Sequence, residues 1–234
     1  MKGISPLSCQ MEKILLIFLA FQTPNCFGQQ WIDTAIDKNI TISLPHNYQI
    51  TDTLGQRLIT AQVNNGLIFI QRIPKPDDPT FNISNKDQLD NYYNGLIKGT
   101  IKSSKGELLS SEFIKIIDFN LIKFSFKIKI GDELQIHDCL GLFLNGYTYL
   151  IQLWHLELIS PELQNIRDNV FSSLKISSTA TQKDQYIASS IQSSSFKTGY
   201  IIGKILGPIL LIGIFAYLIY FFSKRRKIKM VSKS

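Results

Sequence analysis

Few residues in this chain could do chemistry near neutral pH. The histidines are His46, His137 and His155, and the cysteines are Cys9, Cys26 and Cys139. His137 and Cys139 stand two apart in a β-rich run, so they share one face of a strand. Such a pair can form an activated nucleophile or supply two metal ligands. The competing reading is simpler: a lone cysteine in a strand behaves as a small buried hydrophobe. Asp138 falls on the opposite face, where it cannot orient His137. His155 shares a face with Tyr147, Tyr149, Ile151 and Leu153, and Trp154 lies on the other. Aromatic residues dominate sheet surfaces, so a packing role outweighs a pocket for both. Asp77-Asp78, set among prolines, reads as solvated loop. The chain has no Gly-rich phosphate loop after a strand, no G-x-S-x-G and no H-E-x-x-H. The expectation is no enzyme: no catalytic, cofactor-binding or metal-binding residues, and no cofactor.

Charge narrows the partners. The net charge is +7. The cations Lys224, Arg225, Arg226, Lys227, Lys229 and Lys233 crowd the last residues, while 29–198 is close to neutral. A nucleic-acid groove needs its positive charge on the folded surface, so nucleic acid is discounted.

The two ends carry the clearest physics. Ile14 to Phe21 reads ILLIFLAF behind Lys13, too short to span a bilayer and laid out like a secretory signal. Met11 can serve as an alternative start. Cleavage ahead of Gln29 makes 1–28 a signal peptide and leaves Cys139 as the only cysteine, with no disulfide. Residues 200–222 form an apolar run long enough for one transmembrane helix. Its single charge, Lys204, lies one turn in, where the side chain can reach the interface. Residues 223–234 are basic and stay on the cytoplasmic side. The localisation that follows is a single-pass type I protein of the cell membrane, with its main domain outside the cytoplasm. Gly199, Gly203 and Gly207 recur every four residues, a spacing that can join two helices into a homodimer. Residues 176–199, rich in Ser, Thr and Gln, read as a flexible stalk.

Between these ends, 29–175 reads as an extracytoplasmic α+β domain. Ile40, Ile42 and Leu44 alternate up to Pro45, as in a strand. Leu58 to Asn64 and Leu67 to Arg72 flank Asn65-Gly66, a hairpin signal; Leu134 to Leu144 and Tyr147 to His155 flank Asn145-Gly146, a second one. Ser84 or Asn85 can cap a helix burying Leu89, Tyr92, Tyr93, Leu96 and Ile97, whose end Gly99 weakens. Ile122, Phe124, Phe126, Ile128 and Ile130 alternate with lysines and serine, which marks an antiparallel sheet with one wet face. Ser160-Pro161-Glu162 opens a last helix burying Leu163, Ile166, Val170, Phe171 and Leu174. Asn39 and Asn82 head N-glycosylation sequons.

The strand ending in Leu44-Pro45, the hairpin GLFLNGYTYLIQLWH and the last helix running into VFSSLKI resemble the PsbP-like fold family over about residues 36 to 178. That family includes an extrinsic photosystem II subunit and a Ran-binding import factor. The resemblance implies an antiparallel β-sheet with helices packed on it, an α/β/α sandwich, and a non-catalytic, partner-binding role. It has no shared site motif, so no functional residue carries over. The expected function is a membrane-anchored extracytoplasmic binding or accessory domain whose partner is another envelope or membrane protein. The alternatives are a hydrolase built on Cys139 and His137, and a receptor subunit that dimerises through its transmembrane helix.

Overall fold

Turn chemistry sets the register of the largest sheet. The structure is a computed structural model. It describes residues 30–53, 55–78, 81–130, 132–157, 161–187 and 199–204. From Ile32 the chain forms one unit, and of the preceding unit only Gln30 and Trp31 are described. The described elements run β1 (Trp31–Ala35), β2 (Ile40–Pro45), β3 (Gln49–Thr53), β4 (Gln56–Val63), β5 (Gly66–Pro74), α1 (Lys86–Ser104), β6 (Glu107–Ile116), β7 (Phe119–Ile130), β8 (Glu133–Leu144), β9 (Tyr147–Leu156), α2 (Pro161–Ser172) and β10 (Lys175–Ile176). A short 3-10 helix, Gln182–Gln185, follows. This is the α+β class expected. The main sheet has seven strands in the order β3-β4-β5-β9-β8-β7-β6, and its pairs are antiparallel. A second sheet, β1-β2-β10, has three strands.

The β8–β9 hairpin turns at Asn145-Gly146 as expected. Both residues have positive φ, 50° and 77°, which asparagine and glycine tolerate best. The β4–β5 hairpin differs. Its turn is Asn64-Asn65, with Asn64 at φ 39°, and Gly66 already pairs with Val63. Gly66 serves packing instead: a Cβ there would meet the Trp154 carbonyl oxygen at 3.0 Å and Leu163 Cδ2 at 3.1 Å.

The main sheet is covered on both sides. On one face α1 buries Leu89, Tyr92, Tyr93, Leu96 and Ile97 against Phe69, Phe124, Phe126, Phe143, Leu150 and Trp154. The Asn85 side chain caps α1 by accepting the Gln88 N–H at 2.9 Å. On the other face α2 lays Leu163, Val170 and Phe171 inward. The second sheet joins it there: Ser43 N–H donates to Ser173 Oγ at 3.0 Å, and the Asn39 amide to Tyr149 Oη at 3.5 Å. Ile166 is only half-buried.

The segment expected to be a flexible stalk from residue 176 is bound to the domain over its first part. Ser177 N–H donates to the Asn39 carbonyl at 2.8 Å, and Ile187 forms a two-way bridge with Ile83. Between them the buried Gln185 amide takes the place of missing sheet bonds. Its Oε1 accepts the Asn120 N–H at 2.9 Å, and its Nε2 donates to the Asn120 and Phe143 carbonyls at 2.8 and 3.2 Å. The β7–β8 ladder stops at Ile122↔Gly141, so these backbone groups have no strand partner to satisfy them. Composition alone conceals this, because the anchoring rests on backbone bonds and on one buried glutamine.

No helix among the described residues is long and apolar enough to cross a membrane. The expected signal peptide, most of the expected span and the basic tail lie outside the described residues.

Candidate functional site

His137 and Cys139 do share a face, and that face is the core beneath α1. Both are fully buried. The His137 ring sits between Phe126 and Trp154, with centroids 4.7 Å from each. Its Nε2 lies 3.0 Å from Gln135 Oε1, and its Nδ1 is buried with no partner. Burial lowers its pKa from 6.5 to about 3, so the ring is neutral. Burial also pushes the Cys139 thiol well up, helped by the Asp138 charge. The thiol contacts Gln152 Oε1 and the His137 carbonyl, both at 3.7 Å, and not the imidazole. A buried thiol in this setting stays protonated and inert.

Asp138 points to the opposite face, as the alternation requires. Ser125 Oγ donates to its Oδ1, and its Oδ2 lies 3.2 Å from His155 Nε2 and 3.5 Å from Arg167 Nη1. Burial would raise this carboxyl, but hydrogen bonds from His155 and Ser125, with the charges of His155 and Arg167, hold it below the ordinary range. His155 Nδ1 faces the Leu156 carbonyl at 2.6 Å. The serine therefore bonds the carboxylate rather than the imidazole, so this cluster does not make the serine–histidine contact of a catalytic triad. Through Arg167 the cluster ties α2 to β8. Asp77 and Asp78 are exposed, and the described residues contain no metal-binding group of three or more His, Cys, Asp or Glu. His46 is exposed in the turn after β2.

A polar row that the sequence reading missed crosses this same face. The register aligns Asp52 on β3, Arg57 on β4, Arg72 on β5 and Tyr149 on β9. Arg57 grips Asp52 with two bonds of 2.8 Å and donates Nη1 to the Ile36 carbonyl at 2.8 Å. The Arg72 guanidinium lies 4.4 Å from the Tyr147 ring centroid. Its Nη1 reaches Asp37 Oδ2 at 3.4 Å, and its Nε is buried with no partner. An open cavity of about 280 Å³ lies here, lined by Asp52, Thr53, Gly55, Gln56, Arg57 and Arg72. The signal available in the sequence was the equal distance of Arg57 and Arg72 from Asn64-Asn65.

A third feature joins the domain to the apolar run. Residues 199–204 are helical and lie on α1. A Cβ on Gly199 would stand 2.0 Å from the Tyr92 carbonyl oxygen; on Gly203, 2.3 Å from that of Leu96; on Gly99, 2.2 Å from that of Tyr200. Ser103 Oγ donates to the Gly203 carbonyl at 3.1 Å, Ile202 is 2 % exposed, and Lys102 Nζ lies 5.7 Å from the Tyr200 ring centroid. Gly99 is thus inside α1 rather than at its frayed end, and its missing side chain admits the second helix. Gly199 and Gly203, two of the three glycines expected to join two copies, pack on the chain's own α1, and Gly207 lies outside the described residues. Asn39 is 7 % exposed and bonded to Tyr149 and Asn145, so a glycan at this position would have to displace those contacts; Asn82 is half-buried.

No family model matches the chain, and no curated protein matches it. Solved structures do. Cyanobacterial PsbP from Synechocystis is similar with a TM-score of 0.48 and 14 % identity, covering 66 % of this chain and 99 % of that one. The Ran-binding protein Mog1p of Saccharomyces cerevisiae gives 0.39 and 8 %, covering 63 % and 96 %. LpqN of Mycobacterium tuberculosis, described as involved in cell envelope biogenesis, gives 0.33 and 11 %, covering 63 % and 91 %. These neighbours are of the PsbP-like fold. That is the family which the sequence motifs resemble.

Proposed function

We propose that the chain is a single-pass, membrane-anchored, extracytoplasmic binding domain without catalytic activity. The observation that carries this reading is the glycine-lined contact between α1 and residues 199–204, where the apolar run of the sequence begins. A domain held that close to a membrane-entering helix is built to work at the bilayer surface, and its partner is another membrane or envelope protein. The burial of His137 and Cys139 supports binding over catalysis. Alkaline extraction of membranes containing the full chain tests the anchor: the protein should stay in the pellet, and release into the supernatant would refute it. A thiol-reactive probe tests the hydrolase alternative. Cys139 should label only after denaturation, and labelling of the native protein at Cys139 would revive that alternative.

A further inference from the structure

We propose that the Arg57–Arg72 row binds a small oxyanion, a carboxylate or phosphate, in the cavity at the β3–β4 turn. This rests on the binding-domain reading and names the ligand class for it. Two arginines directly opposite each other on neighbouring strands repel. A fold without use for that charge would place another residue at one of the positions. The two cations are also unequally compensated. Arg57 is neutralised by a two-bond grip on Asp52. Arg72 has only a long contact with Asp37, whose carboxylate already accepts from Asn39 N–H at 2.8 Å, Ile40 N–H at 3.2 Å and Tyr149 Oη–H at 2.5 Å. The Arg72 guanidinium lies over the Tyr147 ring, 4.4 Å from its centroid, which narrows the orientations open to its fork. Its buried Nε lacks an acceptor, a state that disfavours the empty site. A small swing toward the cavity lets Nε–H and Nη2–H take two oxygens of one carboxylate or phosphate. Thr53 and Gln56 on the cavity wall can hydrogen-bond the rest of the ligand. At about 280 Å³ the cavity is near the lower end of ligand pockets, which suits an acid of a few carbons or a phosphate rather than a chain.

The test is thermal unfolding and calorimetric titration of the detergent-solubilised full chain with inorganic phosphate, acetate and citrate. Sodium chloride at matched ionic strength is the control. At least one oxyanion should give a saturable rise in Tm and measurable heat. R72Q should weaken that binding at least about tenfold, the scale of one lost charge-assisted bond. R72K should recover only part, because it restores charge without the fork. D52N frees Arg57 and should tighten binding. It also keeps the proposal testable if R72Q does not fold. The absence of any saturable response beyond chloride, or an unchanged response in R72Q, overturns the proposal, as does unchanged or weaker binding in D52N. Those failures leave the anchor reading standing, because that reading is decided by extraction and topology.

Discussion

Gly99→Ala separates the stability of α1 from that of its joint with residues 199–204. Gly99 lies within α1, where alanine is better than glycine by about 1 kcal/mol. The isolated effect on the domain is therefore neutral or stabilising. The joint responds in the opposite direction. The new methyl would sit 2.2 Å from the Tyr200 carbonyl oxygen and 2.9 Å from Gly203 Cα and Lys204 N. All three are backbone atoms, so no side chain can turn aside and the helices must separate. Separation exposes Ile202, worth roughly 1.5–3 kcal/mol, and breaks the Ser103–Gly203 bond, worth about 1 kcal/mol. Residues 199–204 should then detach while the domain keeps its fold. Hydrogen exchange of the full chain reads both parts. In G99A, amides around Gly203 should lose protection by about two to three orders of magnitude, the equivalent of about 2.5–4 kcal/mol. Core amides of β8 and β9 should keep theirs. Unchanged protection at Gly203 would refute the joint, and parallel loss in β8 and β9 would show that Gly99 supports the domain itself.

Three other predictions follow from buried polar groups. Because the folded pKa of His137 is lowered to about 3, its contribution is full above the unfolded value near 6.5 and is lost as pH falls below it. Stability should decline by up to ~1.4 kcal/mol per pH unit. H137F, which replaces the titrating ring between Phe126 and Trp154 with a non-titrating one, should flatten the slope between pH 6.5 and 4.5 in denaturant titrations; an unchanged slope would show that the ring is not buried neutral. The Asp138 carboxyl is held low, so its share of stability is present above its unfolded pKa and disappears as pH falls through the folded value. D138N should remove that loss below pH ~4, and an acid limb equal to wild type would contradict the assignment. Gln185→Ala leaves the Asn120 N–H and the Phe143 carbonyl buried without the Gln185 bonds, while the Asn120 carbonyl keeps Tyr93 Oη–H, and should destabilise by about 3 kcal/mol in chemical denaturation; a change near zero would mean the segment does not brace the β7–β8 split.

The strands and helices with strong local signals were legible. Ile122, Phe124, Phe126 and Ile128 alternate inward in β7, and Asn85 caps α1. Asn145-Gly146 turns β8 into β9 as its residue types demand. Features that depend on distant partners were not. β10 has two residues and exists only by pairing with β2. The Ser/Thr/Gln composition after it hid the backbone bonds and the buried Gln185 that hold the segment down. The arginine row was lost to a one-residue slip. A turn at Asn65-Gly66 sets Arg57 opposite Pro74, whereas the real turn sets it opposite Arg72. Gly66 misleads because its cause is the crowding of Trp154 and Leu163, not the turn. The same applies to Gly99, whose partner lies a hundred residues away.

Protease accessibility in intact cells tests the account most directly. With a tag on each side of the apolar run, external protease should digest the domain bearing the Arg57–Arg72 cavity and spare the basic tail until the cells are lysed. A domain that resists protease in intact cells and is cut only after lysis would place it inside, and the account would fall.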